Sequence, residues 1–259
     1  MSSLSRMLII LDCFTPQDPL LTAEELMGRL DYSRGTAYRY LRELSSFGLL
    51  SRLEGGYTLG PRIIELDYAI RQYDPVFRAS CPMMAQLSGE FETDAILVSF
   101  FNDRIVVTHH ERGDDKNMKI SYGRGERMPL FSGAASKATL ACLSADKQRR
   151  LFKANMPTVA KSHLPSNWPS FRKELVRIEK ERLATTFGEL DTGNVGVASP
   201  ILHNGPFPLG SVCLVFSEHR YKIIDKALVA NAVIGAADAI RKRVAGLIKS
   251  DEPASVRSR

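Results

Sequence analysis

Apolar residues near the start of the chain recur at the three- and four-residue spacing of an amphipathic helix. The segment SLSRMLIILDCF places Leu4, Leu8 and Leu11 on one face, which predicts a first helix. The loop TPQDPLL ends this pattern. Thr22 then stands three residues before Glu25 and ahead of further apolar residues, which is the spacing of a capping box at the start of a second, short helix.

A third helix and a hairpin complete this first region. Ser33 is a suitable cap for a helix over residues 33–47, and Gly48 is a suitable terminator. The segment LLSRLEGGYTLG then has two short apolar runs around Glu54-Gly55-Gly56, the composition of a tight β-hairpin. Three helices followed by a hairpin is the order of a winged helix-turn-helix, which we predict over residues 1–60. Helical spacing in PRIIELDYAIRQY predicts a linker helix over 61–74.

From residue 75 the pattern becomes that of a mixed α/β (α+β) domain, predicted to extend to residue 248. The polar segment 249–259 is predicted to be a disordered tail. The region is predicted to begin with a helix over 75–94 that contains Pro82, followed by strands over 95–101 and 104–112 joined by the Asn102-Asp103 turn. A third strand with a glycine-rich loop over 118–125, a helix over 132–144 and further helices within 144–187 are predicted next. The last predicted elements are strands over 195–202 and 209–217 and a closing helix over 226–248.

Composition places the chain among ordinary globular proteins. It has 259 residues, of which 44% are hydrophobic, and a net charge of +6 that weakly favours anionic partners. The four cysteines are far apart in sequence, so we expect neither disulfides nor a CxxC metal pair, and we expect a reducing cytoplasm as its location. The apolar start MLIILDCF is interrupted by Asp12, which argues against a signal peptide or a membrane span.

The third helix has two different faces. Ala37, Leu41 and Leu44 share the face that is expected to pack on the first two helices. The opposite face lacks an acid except at its edge, and a guanidinium there can bind guanine or phosphate. The alternative is an ordinary solvated helix, but the short helix before it and the wing after it favour DNA binding. The residues of this outer face are Gly35, Thr36, Arg39, Arg42 and Ser46.

Residues 1–62 are neutral overall, with seven arginines, no lysine and seven acids. The positive potential must therefore be local, on the third helix and on Arg52 of the wing. Because non-specific affinity for DNA comes from neutralising phosphates, one such module is expected to bind weakly. Two copies that contact two half-sites would offset this weakness, so we predict a dimer.

Catalytic motifs are absent. The chain lacks G-x-x-x-x-G-K-[ST], GxSxG and HExxH. His109 and His110 are adjacent on a predicted strand and point to opposite faces, so they are not expected to share a metal. The cysteines of the second region have no nearby histidine in sequence and fit a core better than a nucleophile. We predict no enzyme, no metal and no cofactor; a small-molecule sensor that acts through protein partners remains the alternative.

The GAASKA segment opens a helix with small residues. They can let the carboxylate of a ligand reach the free N–H groups at the helix start, or they can simply allow the helix to pack closely on a sheet. Both interpretations stay open, as does the choice between a plain turn and a pocket wall for residues 193–196. The effector that we expect is an organic or aromatic acid.

Five segments in the right order resemble the IclR family of bacterial transcriptional regulators. They are SLSRMLIILDCF, LTAEELMGRLDYSRGTAYRYLRELSSFGLL, GGYTLGPRIIEL, MPLFSGAASKATLA and FGELDTGNVGVASPI, the last followed by SVCLVFS and Arg220. The resemblance covers nearly the whole chain. It implies a winged helix-turn-helix domain, a linker helix and a C-terminal GAF-like effector domain with a central antiparallel sheet. It also implies a dimer or dimer of dimers on operator DNA that controls genes, catabolic ones in particular, in response to a small metabolite.

The resemblance also carries the family's binding positions onto this chain. The positions that contact DNA are the start and exposed face of the third helix, here Ser33, Arg34, Thr36, Tyr38, Arg39 and Arg42. The positions that form the effector pocket are Ala134, Ala135, Thr186, Glu189, Gly196, Cys213 and Val215. Four positions differ from the family pattern: Ser136 replaces a common glycine, Gly196 replaces a frequent cysteine, and Cys213 and Val215 replace small polar residues. A less polar pocket than in relatives that bind small keto acids is therefore expected.

Overall fold

The structure is a computed structural model that describes residues 2–115, 118–202 and 210–250. The chain divides into two compact units, the first of which covers Met1–Asp74 and the second of which begins at Pro75. No helix in these ranges is both long and apolar enough to cross a membrane.

The first unit is a three-helix module followed by a hairpin and a fourth helix. Its core contains Ile10, Leu26, Leu41 and Leu44, all of which are buried. The predicted inner face of the third helix is thereby confirmed. The elements are α1 (Ser3–Leu8), a 3₁₀ turn (Ile9–Cys13), α2 (Ala23–Leu30), α3 (Arg34–Ser46), β1 (Leu50–Leu53), β2 (Gly56–Leu59) and α4 (Arg62–Tyr73).

Local signals in the sequence determine where these helices begin and end. The Thr22 hydroxyl accepts the N–H of Glu25 at 3.1 Å and the Glu25 carboxylate accepts the N–H of Thr22 at 2.7 Å, which confirms the capping box. The Ser33 hydroxyl accepts the N–H of Thr36 at the start of α3. After α3 the backbone reverses at Gly48, whose φ of +70° is favourable for glycine.

The second unit is built on a six-stranded antiparallel sheet with the order β5-β4-β3-β8-β7-β6. Its helices are α5 (Pro75–Phe91), α6 (Ala134–Ala141), α7 (Ala145–Ala154), α8 (Met156–Ala160), α9 (Trp168–Glu181), α10 (Glu218–Ile223) and α11 (Lys226–Ser250). Its strands are β3 (Asp94–Phe101), β4 (Arg104–Glu111), β5 (Arg127–Met128), β6 (Ala184–Phe187), β7 (Asn194–Ile201) and β8 (Gly210–Ser217).

Each face of the sheet has its own hydrophobic core. On one face α5 and α11 pack against residues such as Leu97, Val197 and Leu214. On the other face α6 and α9 cover residues such as Ile96 and Cys213. The alternation of side chains along each strand assigns its residues to the two cores. The helix-turn-helix unit and this unit built on an antiparallel sheet confirm the predicted fold class.

The prediction of a strand over 118–125 is wrong. The Ser121 N–H donates to the Asp191 side chain at 3.0 Å, and the Lys119 carbonyl accepts from the Asn194 side chain at 2.9 Å. At the end of the segment the Gly125 N–H donates to the Val107 carbonyl of β4 at 2.8 Å, but residues 118–125 form no strand. The third strand of this region is the two-residue β5. Strand β6 was missed because ATTF lies within a region predicted to be helical.

The predicted tail over 249–259 begins inside a helix, since α11 continues to Ser250. Residues 251–259 lie outside the described residues, as do residues 203–209, which hold the whole HNGPFP segment between the last two predicted strands and the first residue of the predicted strand over 209–217.

Candidate functional sites

A groove lies between α3 and the hairpin of the first unit, and it is basic. Arg39 and Arg42 project from α3, and Arg52 lies on β1 directly opposite Tyr57 of β2. The residues that line the groove are Gly35, Tyr38, Arg39, Arg42, Ser45, Ser46, Arg52 and Tyr57. Five of the residues predicted to bind DNA line this groove, namely Gly35, Tyr38, Arg39, Arg42 and Arg52, whereas Ser33, Arg34 and Thr36 at the start of α3 are not among its lining residues. Which of these residues bind DNA stays a prediction.

Arg34, Arg39 and Arg42 of α3 make only weak interactions with neighbouring side chains in the described structure. The Arg39 guanidinium lies 5.2 Å from the centre of the Tyr40 ring, and that of Arg34 lies 5.6 Å from the Tyr38 ring. The Arg42 guanidinium is 3.9 Å from Glu43, and its side chain is exposed. Exposed pairs of this kind contribute about 0–1 kcal/mol, so these guanidinium groups can exchange their partners for phosphates or base edges.

The N-terminal end of α3 leaves room for another molecule. A methyl group built at Gly35 would have no neighbour within 4 Å in the described structure. The hydroxyls of Ser33 and Thr36 bond to each other at 3.0 Å, and the Tyr38 hydroxyl lies 3.3 Å from Glu24. These polar groups stand where a helix start attracts phosphate.

Sequence reasoning missed two residues of this groove as site residues, Ser45 and Tyr57. Tyr57 is fixed by a β-bridge to Leu21 as well as by its pairing with Arg52. The register of the hairpin, which places Arg52 and Tyr57 side by side, was the only available signal for Tyr57. Ser45 is next to Ser46 on the last turn of α3 and had no separate signal.

A cavity lies in the second unit between the start of α6 and the adjacent face of the sheet. The antiparallel register brings Thr186 of β6, Gly196 of β7 and Val215 of β8 into one row across three strands. Cys213 and Ile96 follow in the next row of the same face. The residues that line the cavity are Ile96, Ile120, Tyr122, Met128, Gly133, Ala134, Ala135, Thr186, Glu189, Leu190, Asp191, Asn194, Gly196, Cys213 and Val215.

All seven residues predicted for the effector pocket line this one cavity. Ala134 and Ala135 are the first two residues of α6, so the small residues of GAASKA face the cavity as well as the sheet. Whether the seven bind an effector stays a prediction. Asn194 and Gly196 of the 193–196 segment line the cavity, which favours the pocket wall over the plain turn for these two residues. Sequence reasoning missed Asp191, although it follows Glu189 closely in sequence. It also missed the apolar residues Ile96, Ile120 and Met128, which come from distant segments and carry no local signal.

Glu189 occupies the position at which a ligand carboxylate was expected. One of its oxygens accepts the N–H of Gly133, directly before α6, at 2.9 Å. The other is bonded to the ammonium group of Lys137, and the two side chains are only 7% and 9% exposed. The imidazole of His163 lies 4.0 Å from the same carboxylate, at the surface. Of the two interpretations left open for this helix start, access of a ligand carboxylate is therefore blocked at the Gly133 N–H.

A second carboxylate, that of Asp191, lines the same cavity. It accepts the N–H of Ser121 at 3.0 Å, and it is also bonded to the Ser121 hydroxyl. These contacts hold the 118–125 segment over the cavity. Burial raises the pKa of the Tyr122 phenol, and the charges of Asp191 and Glu126 raise it further. Tyr122 therefore remains protonated at neutral pH.

Two further side chains determine the character of the sheet wall. Burial raises the pKa of the Cys213 thiol to about 12, so this residue is a neutral part of the wall and not a nucleophile. A methyl group built at Gly196 would lie 3.2 Å from the Ala134 Cβ, 3.4 Å from the Thr186 hydroxyl and 3.6 Å from the Cys213 sulfur. Glycine at this position thus keeps the space between α6 and the sheet open.

The adjacent histidines point to opposite faces of the sheet, as predicted. His109 packs against the Phe77 ring, with ring centres 5.3 Å apart, and lies 3.2 Å from Glu111. His110 is 2.6 Å from Asp94 on the other face. Within the described ranges no three His, Cys, Asp or Glu side chains are grouped as a metal site would need.

Two family models match the chain in successive segments. The model described as the IclR helix-turn-helix domain matches residues 3–54. The model described as the bacterial transcriptional regulator IclR C-terminal matches residues 69–242, which is more than half of the chain.

Individual proteins show the same similarity. The Cupriavidus necator protein described as "Probable transcriptional regulator SauR" is 25% identical over 199 residues, covering 75% of this chain and 78% of that protein. The crystal structure of an IclR transcriptional regulator from Alicyclobacillus acidocaldarius has a similar fold, with a TM-score of 0.77 and 18% identity over 93% of this chain and 98% of that one. An IclR homologue from Microbacterium hydrocarbonoxydans complexed with 4-hydroxybenzoate has a TM-score of 0.73 and 17% identity over 95% and 100% of the two chains.

Proposed function

The chain belongs to the IclR family of bacterial transcriptional regulators, and on that premise we propose how its two sites act. The family consists of regulators with a helix-turn-helix DNA-binding domain and a C-terminal effector-binding domain, not of enzymes. We assign residues 1–60 to DNA binding, 61–74 to a linker helix and 75–248 to effector binding and oligomerisation. Binding to chromosomal DNA would place the protein in the cytoplasm.

The basic groove between α3 and the wing is the observation that carries the DNA-binding proposal. The residues proposed to contact DNA are Ser33, Arg34, Gly35, Thr36, Tyr38, Arg39, Arg42 and Arg52. Helix α3 enters the major groove with Arg39 and Arg42 toward the base edges, and Arg52 of the wing contacts the backbone. The open space at Gly35 supports this placement, because a close approach to DNA needs a surface without a side chain there.

A dimer was predicted because residues 1–62 are neutral overall and are expected to bind DNA weakly as a single copy. The exposed apolar side chains of α4 give a second reason to propose it. Helix α4 has no buried residue, and it exposes 73% of Ile64, 65% of Tyr68, 53% of Ile70 and 78% of Tyr73. Apolar side chains exposed along one short helix are typical of a surface that another chain covers. Self-association through α4 would bring two α3 helices to two half-sites.

A small effector in the cavity of the second unit is proposed to change DNA affinity. The residues proposed to contact it are Ala134, Ala135, Thr186, Glu189, Gly196, Cys213 and Val215. The predicted effector was an organic or aromatic acid; the apolar walls and the 4-hydroxybenzoate of one homologue support the aromatic part. The effector acts only if its affinity differs between the DNA-binding arrangement and the other arrangement of the dimer.

Gel retardation tests the DNA-binding proposal. Purified protein is mixed with DNA from upstream of its own gene and with a scrambled duplex of equal length, at several salt concentrations. Specific retardation of the upstream DNA is expected. The upstream duplex is then replaced by fragments of the surrounding region to locate the operator.

Two outcomes would contradict the proposal. If no fragment is retarded more strongly than the scrambled duplex at any salt concentration, the chain does not recognise operator DNA. In that case a sensor that acts through protein partners becomes the better interpretation. If an Arg39→Ala variant retards the operator like the unmodified protein, the assignment of the α3 face is wrong.

A further inference from the structure

The charged residues that line the described part of the effector cavity are two carboxylates, Glu189 and Asp191, whereas a pocket for acids would need cationic donors. We infer that its ligand is a small molecule with an apolar body whose polar end donates hydrogen bonds, a hydroxyl or ammonium group rather than a carboxylate. This inference rests on the proposed function, because it concerns the effector of the same site: it keeps an apolar, ring-like body and replaces the predicted acid group by a hydrogen-bond donor.

The first observation is that the favourable position for an anion is already taken. The Glu189 carboxylate accepts the Gly133 N–H at the start of α6 and is bonded to the Lys137 ammonium. Both side chains are more than nine-tenths buried. A ligand carboxylate would have to displace this buried pair, and removing one member of such a pair leaves the other without compensation.

The second observation is the charge of the wall. Glu189 and Asp191 both line the cavity, whereas no Lys, Arg or His is among its described lining residues. Lys137 is bonded to Glu189, and the His163 side chain is 64% exposed at the surface. The donors to Asp191 from Ser121 are neutral. Lys137 compensates the charge of Glu189, but the Ser121 donors leave the charge of Asp191 in place, and this charge disfavours an anionic ligand.

The third observation is that polar groups of the cavity remain available. Thr186 is 6% exposed and lines the cavity with its hydroxyl side chain. Tyr122 lines the same cavity. An ionised carboxylate offers about four acceptor sites, and Glu189 uses two of them for Gly133 and Lys137. A hydroxyl or ammonium group in the cavity can therefore donate to a remaining acceptor site of Glu189 without displacing Lys137.

The remaining wall is apolar and indicates the body of the ligand. Side chains of Ile96, Met128, Leu190 and Val215 surround the space that Gly196 leaves open. Cys213 adds a protonated thiol to this wall. An aromatic or alicyclic ring fits these surfaces, since it buries apolar area and needs no polar partner there.

Probes that share a ring and differ only at the polar end provide the test. We would measure dissociation constants of the full chain for benzyl alcohol, benzylammonium and benzoate, and for 4-hydroxybenzyl alcohol and 4-hydroxybenzoate, by calorimetry and by thermal shift. The alcohol or the ammonium compound is expected to bind at least about tenfold more tightly than the matching carboxylate. Glu189→Gln should reduce this ratio, because the amide has nearly the same size and no charge. Glu174→Gln is the matched control, since Glu174 pairs with Arg177 on α9 and does not line the cavity.

Each contrary result overturns the inference. A carboxylate that binds as tightly as its alcohol contradicts it, and so does the absence of binding by every probe. A ratio that Glu189→Gln leaves unchanged removes Glu189 from the explanation. If this variant fails to fold, the order of the probes on the unmodified chain still decides. Retardation of operator DNA by the ligand-free protein is measured in the same preparation, so failure of the proposed function would be recognised separately.

Discussion

The groove on α3 and the cavity beside α6 both depend on charged side chains, but these side chains are exposed in the groove and buried in the cavity. In the groove, Arg39 and Arg42 are exposed side chains on the outer face of one helix, opposite its buried residues. In the cavity, Glu189 and its partner Lys137 are buried and come from separate segments. Binding chemistry can therefore change in the groove without affecting the fold, whereas in the cavity the residues that determine the ligand also stabilise the domain.

The strongest test of this difference is removal of Lys137. Lys137→Met leaves the buried Glu189 carboxylate without its cation, and we expect the free energy of unfolding of the second unit to fall by about 3–5 kcal/mol. Arg177→Met is the matched control, because its pairs with Glu174 and Glu181 are largely exposed and contribute about 0–1 kcal/mol. Denaturant titration measures both values. Equal losses in the two variants would show that the pair in the cavity has no special role.

Removal of Arg39 should affect binding and not stability. Arg39→Ala is expected to weaken operator binding by about 1–3 kcal/mol, because a guanidinium contact to a base edge is lost. The melting temperature should barely change, since exposed substitutions usually alter stability by at most about 0.5 kcal/mol. Arg39→Lys keeps the charge but loses the planar fork and should be intermediate. A large drop in melting temperature for Arg39→Ala would mean that the groove, too, is part of the structural framework.

A methyl group added at Gly196, inside the cavity, should have a smaller effect on stability and on ligand binding. Gly196→Ala places Cβ 3.2 Å from the Ala134 Cβ, so we expect a loss of about 1 kcal/mol in stability and weaker binding of the best probe. Gly235→Ala on α11 is the control, because its added methyl group would have no neighbour within 4 Å. That variant should be about 0.5–1 kcal/mol more stable, as alanine favours a helix over glycine. Denaturant unfolding measures the change in stability of each variant, and calorimetric titration measures binding of the probe. An increase in stability in both variants would contradict the tight contact at Gly196.

The smallest expected effect is that of the wing. Arg52→Ala should lower the slope of log K against log salt concentration by about 1, with the same loss on operator and scrambled DNA. Filter binding at four salt concentrations measures this slope. Loss of preference for the operator itself would instead show that Arg52 contacts a base.

Much of the first unit was predictable because its signals are local. The capping box of Thr22 and Glu25, the inner residues Leu41 and Leu44, and the Gly55-Gly56 turn each depend on neighbours within a few positions. The resemblance to a known family added the pocket positions, all seven of which line one cavity. Residues between 118 and 125 were predicted wrongly, because the bonds that decide their structure go to Asp191 and Asn194, far away in sequence.

The sequence by itself determined the helices of the first unit, its exposed basic face and the class of the second unit, since helical spacing, caps and turns act over short distances. Only the tertiary structure decided what surrounds the cavity. The antiparallel register places Thr186, Gly196 and Val215 in one row, and the packing of α6 brings Lys137 and Gly133 to Glu189. These contacts depend on strand pairing between distant segments, which the spacing of residues along the chain does not specify.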